Sequence, residues 1–312
     1  MAENFVDKDI VIIGAGPAGL TAAIYARRAG LNLIILEDKL AGGQLNLTSI
    51  IENYPGFPGG IGGGELAEKM KEQANAAGVE IVNVRANAIS EESGMFFVTA
   101  SKETYRAKTV IIATGAVPKR LGIKGEEELT GKGVSFCAVC DAPLYKDKVI
   151  AAVGGGDTAL EEALFLSRFA VKVYLIHRRD EFRAARILVK RIKDNKKIEV
   201  LHSYIPLEVT GGTRVEGVKL QSKKDGSIKE ISINGLFVFV GSEPQARIIK
   251  DLVETDKDGF IITDENMRAG KKGIFAAGDV RKKKIRQVVL ACSEGAQAAL
   301  SAAGYLKDGA EL

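Results

Sequence analysis

The sequence predicts an α/β protein made of two parallel-sheet folds, the second inserted into the first. Three observations carry that expectation. A pattern of strand, glycine turn, helix and strand begins at residue 9 and recurs from residue 148. An apolar strand with a Gly-Asp end, "GIFAAGDV" at 273–280, follows the second pattern and is placed to complete the first. The chain has 312 residues, 46% of them hydrophobic, which is too long for one ordinary α/β core and suits two domains of roughly 100 to 200 residues each.

Residues 9–37, "DIVIIGAGPAGLTAAIYARRAGLNLIILE", open with a continuous apolar strand and turn at Gly14, Gly16 and Gly19, with Pro17 and Ala18 between. An apolar-faced helix follows, then a second apolar strand ending in Glu37. In this geometry the first two glycines let the backbone turn tightly and approach a pyrophosphate, and the third lets helix and strand pack closely. The helix N-terminus supplies amide donors and the positive end of its dipole. Glu37 lies 21 positions beyond Gly16, where a carboxylate can accept hydrogen bonds from ribose hydroxyls. With every part present, the unit is Rossmann-like and binds a dinucleotide.

The pattern recurs in residues 148–179, "KVIAAVGGGDTALEEALFLSRFAVKVYLIHRR". Gly154, Gly156 and Ala159 take the glycine positions, with Asp157 and Thr158 in the same turn. The second strand ends in His177, Arg178 and Arg179 where the first unit has Glu37, and Arg183 follows four positions on. Guanidinium groups there form charge-assisted bonds to a 2′-phosphate that a carboxylate would repel, so the expected ligand is NADP rather than NAD. Asp180 could neutralise part of this basic corner.

The GxGxxG turn alone leaves NAD and FAD open for the first unit. Downstream, "VIIATGAVP" at 110–118 is a buried strand running into Ala113, Thr114 and Gly115, and the strand at 273–280 ends in Gly278 and Asp279. Ligands of doubly wound sheets gather at the carboxyl ends of strands, so Asp279 could reach a ribityl hydroxyl or phosphate-bound water of a long cofactor. An apolar helix from about Arg286 to Leu306 closes the fold. Short Gly- and Pro-containing breaks, "GAVPK" and "VGSEP", mark the crossings, giving a discontinuous domain of residues 1–117 and 244–312 and an inserted domain of residues 118–243. Period-two segments within 79–109 and 197–240 predict antiparallel strands added to each parallel sheet.

A balance of 44 basic against 40 acidic residues gives +4, far from a nucleic-acid coating protein. The basic runs "KRIKDNKK" at 190–197 and "RKKKIR" at 281–286 lack interleaved aromatics and read as solvated faces. The N-terminus reaches a glycine turn after a few apolar residues, so neither a signal peptide nor a membrane span is expected, and the cytoplasm is the expected location.

There the two cysteines of "FCAVCDAP", Cys137 and Cys140, need a role other than a lasting staple. A zinc site would need two further ligands, and only Cys292, His177 and His202 remain, without the short histidine spacing such sites use. No metal is expected. A disulfide closing so small a loop removes little unfolded-state entropy. Redox work is the remaining reading. Cys292, in an apolar helical stretch, reads as a small core residue.

Taken together, "GAGPAG", "GGQL" at 42–45, "IENYPGFP" at 51–58, "ATGA", "CAVCD", "GGGDTA", "HRRDEFRA", "FAAGD" and "RQV" at 286–288 resemble the low-molecular-weight thioredoxin reductase family along essentially the whole chain. The other large dithiol flavoenzyme class, that of glutathione reductase, carries its cysteines shortly after the first nucleotide fold, where "AGGQLNLTS" has none. The resemblance implies FAD in the first domain, NADPH in the second, a homodimer, and electron transfer to a thioredoxin-like disulfide without nucleic-acid or membrane partners. It implies that Glu37, Gln44, Asn53, Asp279 and Gln287 bind FAD, with Gly43 and Leu45 of "GGQL" and Arg286 and Val288 of "RQV" beside them. Arg178, Arg179 and Arg183 would take the 2′-phosphate. Cys140 would face the flavin, Asp141 would carry its proton, and Cys137 would attack the acceptor. Val139 stands where the family more often has Thr, and the loop "GFPGGIGGGE" is unusually rich in glycine. A different electron donor or acceptor, and a non-catalytic redox sensor, are the competing readings.

Overall fold

The computed structural model describes residues 5–48 and 50–308. The chain up to Val117 and from Glu243 onward forms one compact unit, and Pro118–Ser242 forms the other. In chain order the first unit holds β1 (Phe5–Ile13), α1 (Pro17–Arg28), β2 (Leu33–Glu37), α2 (Gly63–Ala76), β3 (Glu80–Asn83), β4 (Ala86–Glu92), β5 (Met95–Ala100) and β6 (Glu103–Ile112). A short strand, β7 (Ala116–Pro118), leads out of it. The second unit holds β8 (Val134–Ser135), α3 (Ala138–Asp141), β9 (Val149–Gly154), α4 (Asp157–Leu166), β10 (Lys172–His177), α5 (Arg186–Asp194), β11 (Ile198–His202), β12 (Tyr204–Thr210), β13 (Gly217–Ser222), β14 (Ile228–Ser232) and β15 (Gly235–Phe239). The chain returns through β16 (Ser242–Pro244), which pairs with β7, and ends in β17 (Ile274–Ala276) and α6 (Val288–Asp308).

The first sheet runs β3-β2-β1-β6-β5-β4, with β17 paired to β6. Its centre is parallel, with Ile12 opposite Ile35 on one side and Ile111 on the other. Those strands are apolar without alternation because both faces are covered, and Ile10, Val11, Ile12, Val110, Ile111 and Ile112 have no solvent exposure. The β4 and β5 strands add antiparallel to β6, as the period-two pattern predicts, and β5 alternates half-buried and buried residues along its length.

The second unit has an all-parallel sheet, β11-β10-β9-β15-β8. Here the expectation of added antiparallel strands needs correction, since β12, β13 and β14 form a sheet of their own. The cause is local. Ser203, the one residue between β11 and β12, sits in the left-handed region at φ 61° and turns the chain off the parallel sheet. Val209, Val218, Leu220 and Ile231 of the small sheet then pack with Ala151, Val153 and Ile176 of the parallel one. Leu160 and Ala163 of α4, with Leu188 and Ile192 of α5, cover the other face.

Small residues bring α1 and α6 together in the first unit. Ala18, Ala22, Ala23 and Ala26 of α1 are buried, as are Ala298, Ala299 and Ala302 of α6. Gly295 marks their closest approach, because a Cβ there would lie 2.1 Å from the Ala18 carbonyl oxygen. This contact presses α6 onto the first turn of α1. Replacing Gly295 by Ala should therefore lower stability by about 1 to 3 kcal/mol through overpacking, read as a shift in the denaturant midpoint at unchanged m-value.

Candidate active site

At the first glycine turn the three glycines do different work. Gly14 has φ 106°, and a Cβ on it would meet the Ala113 carbonyl oxygen at 2.4 Å. On Gly19 a Cβ would lie 1.9 Å from the Gly14 carbonyl oxygen. Both positions are closed by backbone. Gly16 instead faces open space in extended conformation and has no side-chain cap to claim the amides of the first turn. Pro17 stands at the start of α1, where a missing N–H costs nothing. Glu37 accepts from the Ala15 amide at 2.7 Å and from the Lys39 amide at 2.9 Å, one with each oxygen, so it also closes the turn. Each oxygen keeps a further lone pair.

Residues distant in sequence converge on this turn. The Gly42 amide donates to the Ala15 carbonyl at 2.8 Å, and Gly43 packs against the Gly16 Cα. Leu45 is buried beneath, and the Gln44 side-chain amide donates to the Ala116 carbonyl. Thr114 Oγ1 donates to the Gln245 carbonyl at 2.6 Å, and Gly115 takes φ 69° to accept the Gln245 amide. Gly278, at φ 80°, leaves room for the Cβ of Ala18. Asn53 Nδ2 donates to Gln287 Oε1 at 3.0 Å across 234 residues. Val288 opens α6 against the core. The Arg286 guanidinium lies over the Phe260 ring at 4.3 Å, and its buried Nε has no hydrogen-bond partner among the described residues. An open glycine face, uncapped helix amides and an orphaned guanidinium donor fit a long pyrophosphate-bridged cofactor.

The run 281–286 is not the solvated face its composition suggests. Arg281 and Lys283 turn inward, with side chains 12% and 11% exposed, while Lys282 and Lys284 remain outside. Glu294 of α6, which sequence reasoning missed, gathers them. Its carboxylate pairs with Arg281 at 3.0 Å and Lys283 at 3.2 Å and accepts the Gly278 amide at 2.8 Å, while Lys283 also pairs with Asp279 at 3.0 Å. Two acids and two bases thus balance at the Gly-Asp turn. Nothing in the residue types of the run, basic at five of its six positions, signals which of them turn inward. Cys292 packs half-buried against the core of the first unit, with its Sγ 3.8 Å from the Tyr54 hydroxyl. Burial and the neighbouring Cys292 push the Tyr54 hydroxyl up to about 12.

In the second unit Gly156 is open and extended ahead of α4, whereas Gly154 is closed by Ala159 Cβ at 2.4 Å. Thr158 is exposed in the first helical turn. Asp157 uses Oδ1 to accept the Ala185 amide at 2.7 Å, and the Arg183 amide donates to the Gly155 carbonyl at 2.9 Å, so the arginine loop is tied to the glycine turn. Arg178, Arg179 and Arg183 are exposed and form no ion pair among the described residues. Asp180 does not neutralise them, because it pairs with Lys224 at 2.8 Å.

His177 stands apart from the arginines. It is 5% exposed, contacts the Glu181 carbonyl through Nε2 at 3.0 Å and stacks on Phe182, and its ring fills the space a Cβ on Gly155 would need. Burial holds its pKa below the usual histidine range. These contacts make it a support beneath the turn rather than a group presented to a phosphate.

Cys137 and Cys140 are joined as a disulfide at the start of α3, both half-buried. The Cys140 amide donates to Cys137 Sγ at 3.2 Å, which favours negative charge on that sulfur once the bond opens. Ser135 was also missed, although a serine two residues before a turn is the usual signal for such a cap. Its hydroxyl accepts the Cys137 amide at 3.1 Å and fixes the turn. Asp141 follows directly and is half-buried, and burial together with its charge pushes Tyr145 up to about 12.

Two glycine turns of dinucleotide-binding form and a CxxC disulfide in the second unit define a dithiol oxidoreductase of the two-nucleotide-fold class. Residues 8–295 match the family described as pyridine nucleotide-disulphide oxidoreductase. The thioredoxin reductase of Treponema pallidum is 44% identical over 96% of this chain and 97% of that protein. That of Listeria monocytogenes is 44% identical over 96% of this chain and 94% of its own. The crystal structure of thioredoxin reductase from Streptococcus pyogenes matches with TM-score 0.93 at 43% identity, covering 97% of this chain and 99% of that one. The chain belongs to the pyridine nucleotide-disulphide oxidoreductases and, within them, to the thioredoxin reductase family. Membership implies a flavin and a nicotinamide cofactor.

The disulfide has a direct test. Unfolded without reductant, the protein should react with one equivalent of a thiol reagent, at Cys292, and after reduction with three. Three equivalents before reduction would show an open pair.

Proposed function

We propose that the protein is an NADPH-dependent thioredoxin-disulfide reductase, with FAD held by the first unit and NADPH by the second. The observation that carries this reading is the disulfide Cys137–Cys140 in the same unit as three exposed arginines that form no ion pair among the described residues. A dithiol passes on two electrons together, which argues against a one-electron acceptor, and the arginine cluster argues against a donor other than NADPH. The arginines ask for a 2′-phosphate, which NADH lacks.

Bound flavin and nicotinamide supply the two-electron hydride chemistry, and the chain's own groups do the rest. Gly16, the first-turn amides of α1 and Arg286 would hold the long cofactor, with Asn53, Gln287 and Asp279 available to its polar groups. Opening the disulfide to a Cys140 thiol and a Cys137 thiolate takes two electrons and one proton. Asp141, adjacent to Cys140, delivers a proton to the Cys140 sulfur. Cys137, its charge stabilised by the Cys140 amide, attacks the disulfide of a thioredoxin-like protein. One acceptor sulfur leaves as thiolate, and Cys140 then resolves the mixed disulfide as Asp141 takes its proton back. The family resemblance supports a homodimer in the cytoplasm. No described helix is long and apolar enough to cross a membrane.

Steady-state turnover of NADPH with thioredoxin-like disulfides tests the reading as a whole. Arg178→Ala should raise the KM for NADPH by roughly ten- to a hundredfold, since each charge-assisted bond is worth about 1.5 to 3 kcal/mol, and should leave NADH use almost unchanged. Equal loss with both cofactors would make the arginine structural. The cysteines should also separate. Cys140→Ser should accumulate a mixed disulfide through Cys137, visible on non-reducing gels, whereas Cys137→Ser should not, and the reverse pattern would exchange their roles.

A further inference from the structure

The loop "HRRDEFR" sets an acid directly beside two arginines, and the structure shows where that acid goes. Asp180 Oδ1 accepts the Ser203 hydroxyl at 2.6 Å and lies 2.8 Å from Lys224 Nζ. Both partners belong to other elements: Ser203 joins β11 to β12, and Lys224 lies on the turn between β13 and β14. Lys224 and Ser203, in that order, hold the Asp180 carboxyl below the usual carboxylate range.

Ser203 is built for this position. It is 5% exposed, in the left-handed region at φ 61°, and its backbone is used on both sides. Its amide donates to the Arg179 carbonyl at 3.2 Å, and its carbonyl accepts the Lys223 amide at 2.7 Å. The Lys224 amide in turn donates to Ser222 Oγ at 3.2 Å. One junction therefore fixes the Arg179 peptide and the neighbouring carboxylate together.

We propose that Ser203 and Lys224 are specificity-determining residues, which hold the Asp180 carboxylate away from Arg178 and Arg179 so that these guanidinium groups stay available to a 2′-phosphate. The inference rests on the NADPH reading above. Released from both partners, Asp180 would compete with the phosphate for the arginines and repel it. A single charge at that range in solvent changes binding of the 2′-phosphorylated cofactor by about three- to tenfold at low salt. NADH, without the phosphate, would not register the change.

The test is steady-state kinetics of the full-length holoenzyme with NADPH and with NADH. Ser203→Gly suits the left-handed backbone and removes only the hydroxyl. Lys224→Met lies on an exposed turn and keeps the question open should the glycine variant fold poorly. Together they should raise the KM for NADPH about three- to tenfold, with kcat and the KM for NADH unchanged, and the effect should shrink as salt is raised. Adding Asp180→Asn should restore the KM for NADPH, whereas adding Glu181→Gln, which removes the loop's other acid, should not. An unchanged KM for NADPH, an equal rise for both cofactors, or rescue by Glu181→Gln as complete as by Asp180→Asn would overturn the proposal. Arg179→Ala in the parent protein separates the two levels. If it weakens NADPH selectively while Lys224→Met and Ser203→Gly do nothing, this inference alone falls, and if it does not discriminate between cofactors the NADPH reading falls with it.

Discussion

The backbone-to-backbone approach around the first glycine turn sets the rest of the first unit. Gly14 lies against the end of β6, Gly19 against Gly14, and Gly295 of α6 against Ala18 of α1, each at a distance that excludes a Cβ. These three contacts bring the ends of β1 and β6, the start of α1 and the stretch of α6 around Gly295 to one place. Any side chain there would separate the elements and with them Ala113, Gly278 and the "RQV" segment. A Cβ on Gly16, alone of the turn glycines, would meet nothing within 4 Å. The packing of its neighbours is what leaves this face of the turn open.

Charge is handled differently at the two turns. In the first unit Asp279, Glu294, Arg281 and Lys283 neutralise one another, with side chains between 11% and 24% exposed, and through Gly278 they fix the backbone. Burying them unpaired would cost far more than their pairing gains, so the four stand or fall together. In the second unit the arginines are left exposed, and the loop's own acid is drawn off by Lys224 and Ser203. The first arrangement shapes a site and the second advertises one.

The dithiol depends on the same economy of small residues. Ala138 and Ala142 are fully buried with Ala159 and Ala163 of α4 in one core, which seats the short α3 helix and the cysteines it carries. Ser135 then fixes the approach, and the Cys140 amide distinguishes the two sulfurs, which are otherwise alike in exposure. The Cys140 amide on Cys137 Sγ and the Asp141 carboxyl next to Cys140 thus give the two sulfurs different surroundings.

Both βαβ units, the parallel central strands and the arginine cluster are legible in the sequence, because glycine spacing and uninterrupted apolar runs are local signals of backbone geometry and two-sided burial. The cysteine pair is legible for a similar reason, since its spacing admits few roles in a chain with one other cysteine. Tertiary structure decided what depends on partners far along the chain. Composition could not show that "RKKKIR" folds alternate residues inward, because the reason is Glu294, eight positions past its end. Nor could it show that His177 supports Gly155 rather than facing a ligand, or that β12 to β14 leave the parallel sheet at Ser203. A motif fixes which residue types meet in its own few positions, whereas the direction in which a charged side chain points is set by the oppositely charged group that packing brings to it.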